Sequence, residues 1–144
     1  MRDCAEVSQT ETEHDTIRPV EEMSVLVLAH VGDSFYDLYV RARLARECDG
    51  MVGKHHRAAI RFACAHGQAL GVLAIMDKLS LEEQSIFRRG RNAKSGTVPK
   101  NGLVEDYRNA TGLETLLGFL YLQGKEARAQ EVMAMVFHTV ECTE

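Results

Sequence analysis

The sequence predicts an all-α domain. Apolar residues recur at three- and four-residue steps through most of the chain, and no stretch sustains a two-residue alternation. Helix-boundary residues also sit at the ends of the periodic segments. A chain of 144 residues suffices for one domain with a real core, and no internal repeat is visible.

The elements follow in order. Residues 1–20 lack periodicity and are rich in Glu, Thr and Ser. The first 22 residues read as a flexible acidic tail, and 23–144 as the folded domain. From Met23 to about Cys48 a helix is expected, with Val25, Leu28, Val31, Phe35, Leu38 and Ala42 on its apolar face. Gly32 interrupts that face immediately before Asp33. A mid-helix glycine costs about 1 kcal/mol relative to alanine. That is tolerable where another helix, or a phosphate backbone, must come close.

Asp49-Gly50 ends this helix with turn chemistry. A second helix is expected to run unbroken from about Lys54 to Lys78. Its alanines and glycines suit close packing, and Cys64 is expected to be buried within it. Ser80-Leu81-Glu82-Glu83 is a capping-box signature, so a third helix runs from Ser80 to about Arg89. Arg88 to Gly102, RRGRNAKSGTVPKNG, reads as a loop. A helix from near Val104 to Leu122 is stopped by Gly124. The last helix spans Lys125 to about Val140, with Ala129, Val132, Met133, Val136 and Phe137 on its apolar face.

The bulk numbers exclude several classes. No apolar run reaches the roughly 18 residues that a membrane helix needs. The acidic, polar N-terminus does not read as a signal or transit peptide. No pair among Cys4, Cys48, Cys64 and Cys142 has C-x-x-C spacing, so four reduced thiols in a cytoplasmic protein are expected. Net charge is −4, but residues 1–22 hold seven acids and two arginines. Of the 17 basic and 21 acidic residues in the chain, 15 and 14 then remain, a net of +1. Local patches therefore matter more than the sum.

Two acids sit where acids are costly. Asp33 lies in VLVLAHVGDSFYDLYV and Glu114 in ATGLETLLGFLYL, both otherwise apolar. An ionised carboxylate on an apolar face costs several kcal/mol unless a cation meets it. A hard metal such as Mg²⁺ takes one or two carboxylates plus waters and substrate phosphates. The alternative is that each acid turns outward or pairs with Arg41, Arg43, Arg57, Arg61 or Arg108. Asp37 shares the face of Asp33, and Arg41 is its expected partner.

The segment from Arg88 to Gly102 has five basic residues and no acid. Arg88, Arg89, Arg91, Lys94 and Lys100 suit phosphates, with Asn92, Ser95 and Asn101 as further donors. The alternative is a solvated loop. His55 and His56 face different sides of a helix, and His30 and His66 have no partner at ligand spacing. No phosphate-binding G-x-x-x-x-G-K-[ST], G-x-S-x-G or Cys–His nucleophile signature occurs.

LAHVGDSFYDLYVRARL, RRGRNAKSGTVPKN and YRNATGLETLLGFLYL together resemble Mini-ribonuclease III, a short ribonuclease III without the double-stranded-RNA-binding domain. The resemblance spans about residues 23 to 140. It implies an all-helical ribonuclease III-type bundle that acts as a homodimer. It implies Mg²⁺-dependent cleavage of double-stranded RNA, with Mn²⁺ as a substitute, and maturation of the ends of the 23S rRNA precursor. Asp33 falls on the aspartate of the G-D motif and Glu114 on the glutamate of the second motif. Both are thereby metal ligands and catalytic. The basic segment and Arg108 become the RNA-contacting set. Ala29 and Thr111 stand where longer relatives carry two more acids, and His66 where relatives often carry a lysine. Whether a ribosomal protein assists is left open.

A second reading is a non-catalytic helical RNA- or ribosome-binding assembly factor. A third, a Mg²⁺-dependent nucleotide pyrophosphohydrolase, needs E-x-x-E acids along one helix, which Glu82 and Glu83 do not supply.

Overall fold

A computed structural model of the chain describes residues 17–47, 49–93 and 103–143. Among the described residues six α-helices carry the fold: α1 (Val25–Glu47), α2 (Val52–Ala63), α3 (Ala65–Ala74), α4 (Leu81–Arg91), α5 (Val104–Leu122) and α6 (Glu126–Cys142). Short 3₁₀ turns at Val20–Glu22 and Met76–Lys78 flank α1 and α3. No strand occurs among the described residues, as expected. Most of the expected tail, residues 1–16, lies outside the described residues, and Val20 packs against the core.

The long helix α5 is the axis. It is apolar nearly all round, the mark of a buried helix. Leu113, Leu116, Leu117 and Leu120 are fully enclosed. Helices α1, α3 and α4 pack around it, and α6 closes the bundle against α3. On α1 the buried face is Leu28, Ala29, Gly32, Tyr36, Val40 and Leu44, not the expected one. Of the residues expected there only Leu28 is buried, and Leu38 and Ala42 are exposed, because the face that meets α5 is the one carrying Gly32. The stop after α5 has the expected cause. Gly124 takes φ +78, Gly124 N donates to Tyr121 O at 3.0 Å, and Lys125 N to Leu120 O at 2.8 Å. This is a Schellman closure, which favours glycine.

Two further expectations fail here. The unbroken helix from Lys54 to Lys78 is two helices and a 3₁₀ turn, broken at Cys64, whose ψ is 153°. Cys64 is not buried. It is the exposed N-cap of α3, its sulfur accepting from Gly67 N at 3.4 Å. The break seats Phe62 on Phe137 of α6, rings stacked 4.2 Å apart. Neither proline nor an ordinary capping residue marks it, so the sequence carried no local signal.

The second correction concerns the basic segment. Its first four residues are the last turn of α4, not loop. Ser80 and Glu83 form the expected capping box, and Arg88, Arg89 and Arg91 suit the negative end of the helix. Gly90 lies within this helix, and the position calls for glycine because a Cβ there would collide with Thr115 and Gly112 of α5.

Candidate active site

The crossing of α1 and α5 builds the site. A Cβ on Gly32 would overlap the Glu114 carbonyl oxygen and lie 2.9 Å from Gly118 N. A Cβ on Gly118 would overlap the Leu28 carbonyl oxygen and lie 3.1 Å from Gly32 N. The two backbones touch, and side chains at either glycine would force the helices apart. This contact brings Asp33, next to Gly32, to Glu114.

The two acids differ in setting. Asp33 is exposed, contrary to the expectation that both lie on buried faces, whereas Glu114 is half-buried. Burial and then the charge of Asp33 push the Glu114 carboxyl up to about 8, with the Gln68 amide pulling the other way. Among the described residues neither acid forms an ion pair. Arg41 pairs with Asp37 at 3.2 Å, as expected, and Arg43 with Glu47 at 2.8 Å. Arg61 donates to the carbonyl of Val140, at the end of α6. The alternative in which arginines neutralise the two acids therefore does not occur.

Most of the surroundings are apolar or internally satisfied, Gln68 Oε1 being an exception. Tyr36, one turn beyond Asp33, donates its buried hydroxyl to Phe62 O, and burial raises its phenol well above the usual range. Ala29 is buried. Thr111 donates to Tyr107 O at 3.0 Å, within its own helix. No group of three or more His, Cys, Asp or Glu side chains suited to a metal occurs among the described residues. The donor set is thus two carboxylates that repel each other and, among the described residues, have no cation of their own. That fits a hard divalent ion, which completes its shell with water.

The basic cluster reaches this crossing. Gly90, flanked by Arg89 and Arg91, packs on Thr115, the residue after Glu114. Arg88 and Arg89 are exposed, and Arg91 is partly so. None of the three forms an ion pair among the described residues. Asn92 caps α4, its N–H donating to Arg88 O at 2.9 Å. Arg108 is exposed on the first turns of α5. Lys94, Ser95, Lys100 and Asn101 lie outside the described residues. His66 bonds Asp106 at 2.9 Å, so its ring is held by α5. Sequence reasoning missed Gln68 and Tyr36. The available signal was a lone polar group on an otherwise apolar helix face.

The ribonuclease III domain family matches residues 26–125, which span both acids and the basic cluster. Mini-ribonuclease 3 from Clostridium tetani is 38% identical over 130 residues, covering 90% of this chain and 86% of the relative. The Brevibacillus brevis Mini-ribonuclease 3 is 44% identical over 116 residues, covering 81% and 87%. The chain belongs to the Mini-ribonuclease 3 family. It is an endoribonuclease of the ribonuclease III type. A crystal structure of a Fusobacterium nucleatum protein superposes with a TM-score of 0.75 at 26% identity, covering 85% of this chain and 98% of that one. The family thus extends over the helices that carry the acids, and the fold is shared with a solved protein.

Proposed function

We propose that this Mini-ribonuclease 3 family member cleaves double-stranded RNA with Mg²⁺, holding the ion at Asp33 and Glu114. The carrying observation is the pair itself, two acids brought together by backbone contact and without an ion-pair partner among the described residues. A divalent ion there would lower the pKa of water and offset charge developing on the scissile phosphate. Mn²⁺ has the same oxygen preference and would substitute. The chain's own part is to aim the two carboxylates and to hold the duplex. Arg88, Arg89 and Arg91, with Asn92 and Arg108, face the RNA backbone, and Lys94, Ser95, Lys100 and Asn101 extend that surface. A-form RNA exposes little sequence in its deep groove, so shape, 2′-hydroxyls and phosphates govern recognition.

Cutting both strands calls for two centres related by a two-fold axis. Exposed apolar side chains on α1 support a homodimer. Leu38 is 69% exposed, and with Phe35, Tyr39 and Tyr121 it borders a groove of about 710 Å³. The 23S rRNA precursor, processed in the cytoplasm, is the natural substrate that the family resemblance supports. A ribosomal protein could then join the substrate as a partner. No helix among the described residues is long and apolar enough to cross a membrane.

Incubating duplex RNA with the protein and Mg²⁺ tests the reading. The expected products carry 5′-phosphate and 3′-hydroxyl ends, and single-stranded RNA is spared. Intact duplex alongside tight binding would favour the assembly-factor reading instead. A preparation that sediments as a monomer yet cuts both strands would remove the two-fold part.

Neutralising Arg88, Arg89 and Arg91 together should weaken duplex binding and lower the slope of log K against log salt by roughly two to three. The measurement is a filter-binding titration at several salt concentrations with Ca²⁺ in place of Mg²⁺. An unchanged slope would show that this turn of α4 does not meet phosphates.

A further inference from the structure

Gln68 sits in the second turn of α3 and is only 4% exposed. Its Nε2 donates to Ala63 O at 3.1 Å, across the break between α2 and α3. Its Oε1 has no partner among the described residues. An orphaned buried acceptor is costly, and an apolar side chain of similar volume would avoid it. The corner that delivers Gln68 is itself unusual. Cys64 caps α3 in place of an ordinary oxygen acceptor, and its sulfur also donates to Arg61 O at 3.4 Å. Helix α3 packs along α5, and the Gln68 amide approaches the Glu114 carboxyl closely enough to favour its charged form.

We propose that Gln68 is a positioning residue of the active centre, its amide tying the Glu114 carboxylate to the α2–α3 corner and its free Oε1 accepting from the hydration shell of a cation at Asp33 and Glu114. Three observations meet in it. The amide orientation is set by Ala63 O, because a flipped amide would face oxygen with oxygen. The acceptor left over is enclosed on α3, the helix that packs along α5, which carries Glu114, the half-buried member of the pair. And among the described residues the site has only two carboxylates, with Ala29 and Thr111 supplying no further oxygen to it. A neutral acceptor adds an oxygen without adding to the repulsion between Asp33 and Glu114. Outer-shell groups of this kind orient the ligands that touch a metal.

The inference rests on Asp33 and Glu114 holding a divalent ion, and the test separates the two claims. Mn²⁺ binding is read from the loss of its free-ion electron paramagnetic resonance signal, and duplex cleavage is measured at saturating metal. For Gln68→Met, which keeps the volume, the melting temperature should match or exceed wild type. Mn²⁺ affinity and kcat should each fall by roughly 10-fold or more, with KM for duplex RNA unchanged. Gln68→Glu restores an oxygen but adds charge, and should recover Mn²⁺ affinity better than Gln68→Met. A folded Gln68→Met protein within about twofold of wild type in both measurements would overturn the role. Should Gln68→Met fail to fold, the side-chain amide resonances of Gln68 in wild type decide: they should shift on Mg²⁺ titration, and constancy overturns the role. If wild type itself binds no Mn²⁺, the metal reading of the two acids falls instead.

Discussion

Asp33→Asn and Glu114→Gln should each abolish duplex cleavage, a loss on the order of 10³-fold or more, while the fold and RNA binding persist. Removing a single well-placed electrostatic stabiliser commonly costs 10²–10³-fold, and here each acid is half of the charge available to hold a cation. Normal cutting by either variant in Mg²⁺ would remove the core of the proposal. Glu114→Gln has a second signature that needs no RNA. In the metal-free protein the Glu114 carboxyl is pushed from 4.5 up to about 8, first by burial and then by Asp33. The folded state therefore holds that proton longer than the unfolded chain does. Wild-type stability falls as pH rises from about 4.5 through about 8, and the penalty is complete above that range.

Gln has no such proton to lose. Its melting-temperature advantage over wild type should be absent below about pH 4.5 and largest above about pH 8. At ~1.4 kcal/mol per unit, reduced by the water that still reaches the group, the gap is a few kcal/mol at most. Millimolar Mg²⁺ should close the gap by stabilising wild type alone. Calorimetry across pH, with and without Mg²⁺, makes the measurement. A gap that does not vary with pH would show that Glu114 carries no burial penalty.

Gly32→Ala should cost about 3 kcal/mol or more, beyond the usual price of overpacking, because the added methyl meets backbone rather than a side chain that can move. For a domain of this size that is a fall of roughly 6–12 °C in melting temperature. Gly118→Ala should behave alike, since its Cβ would overlap the Leu28 carbonyl across the same crossing. Cleavage by any folded Gly32→Ala protein should drop further than its stability explains, because the helices that aim Asp33 and Glu114 must separate. Gly53→Ala is the control. It lies in α2 with only Arg57 Nη1 near its Cβ position, at 4.0 Å. It should be neutral or stabilising by up to about 1 kcal/mol. Equal effects at Gly32 and Gly53 would show that the close crossing does not exist.

Much of this was legible in the sequence. The helical period of α1, α5 and α6, the capping box at Ser80 and the stop at Gly124 are local features. They depend on neighbours three or four positions away. The acids, the basic segment and their order along the chain were equally plain, and together they carried the family resemblance.

What only the tertiary structure decided depends on contacts between residues far apart in the chain. The helix break at Cys64 follows from the Phe62–Phe137 stack, 75 positions apart and invisible to any local window. Arg88 to Arg91 continue α4, and Gly90 there fits against Thr115 of α5, a contact that no composition rule foresees. Asp33 and Glu114 look alike in sequence, yet one is exposed and the other half-buried, because burial belongs to the packed surface and not to the helix. Periodicity placed each acid on a helix face. The glycine crossing of α1 and α5 decided that the two faces meet, with no arginine between them.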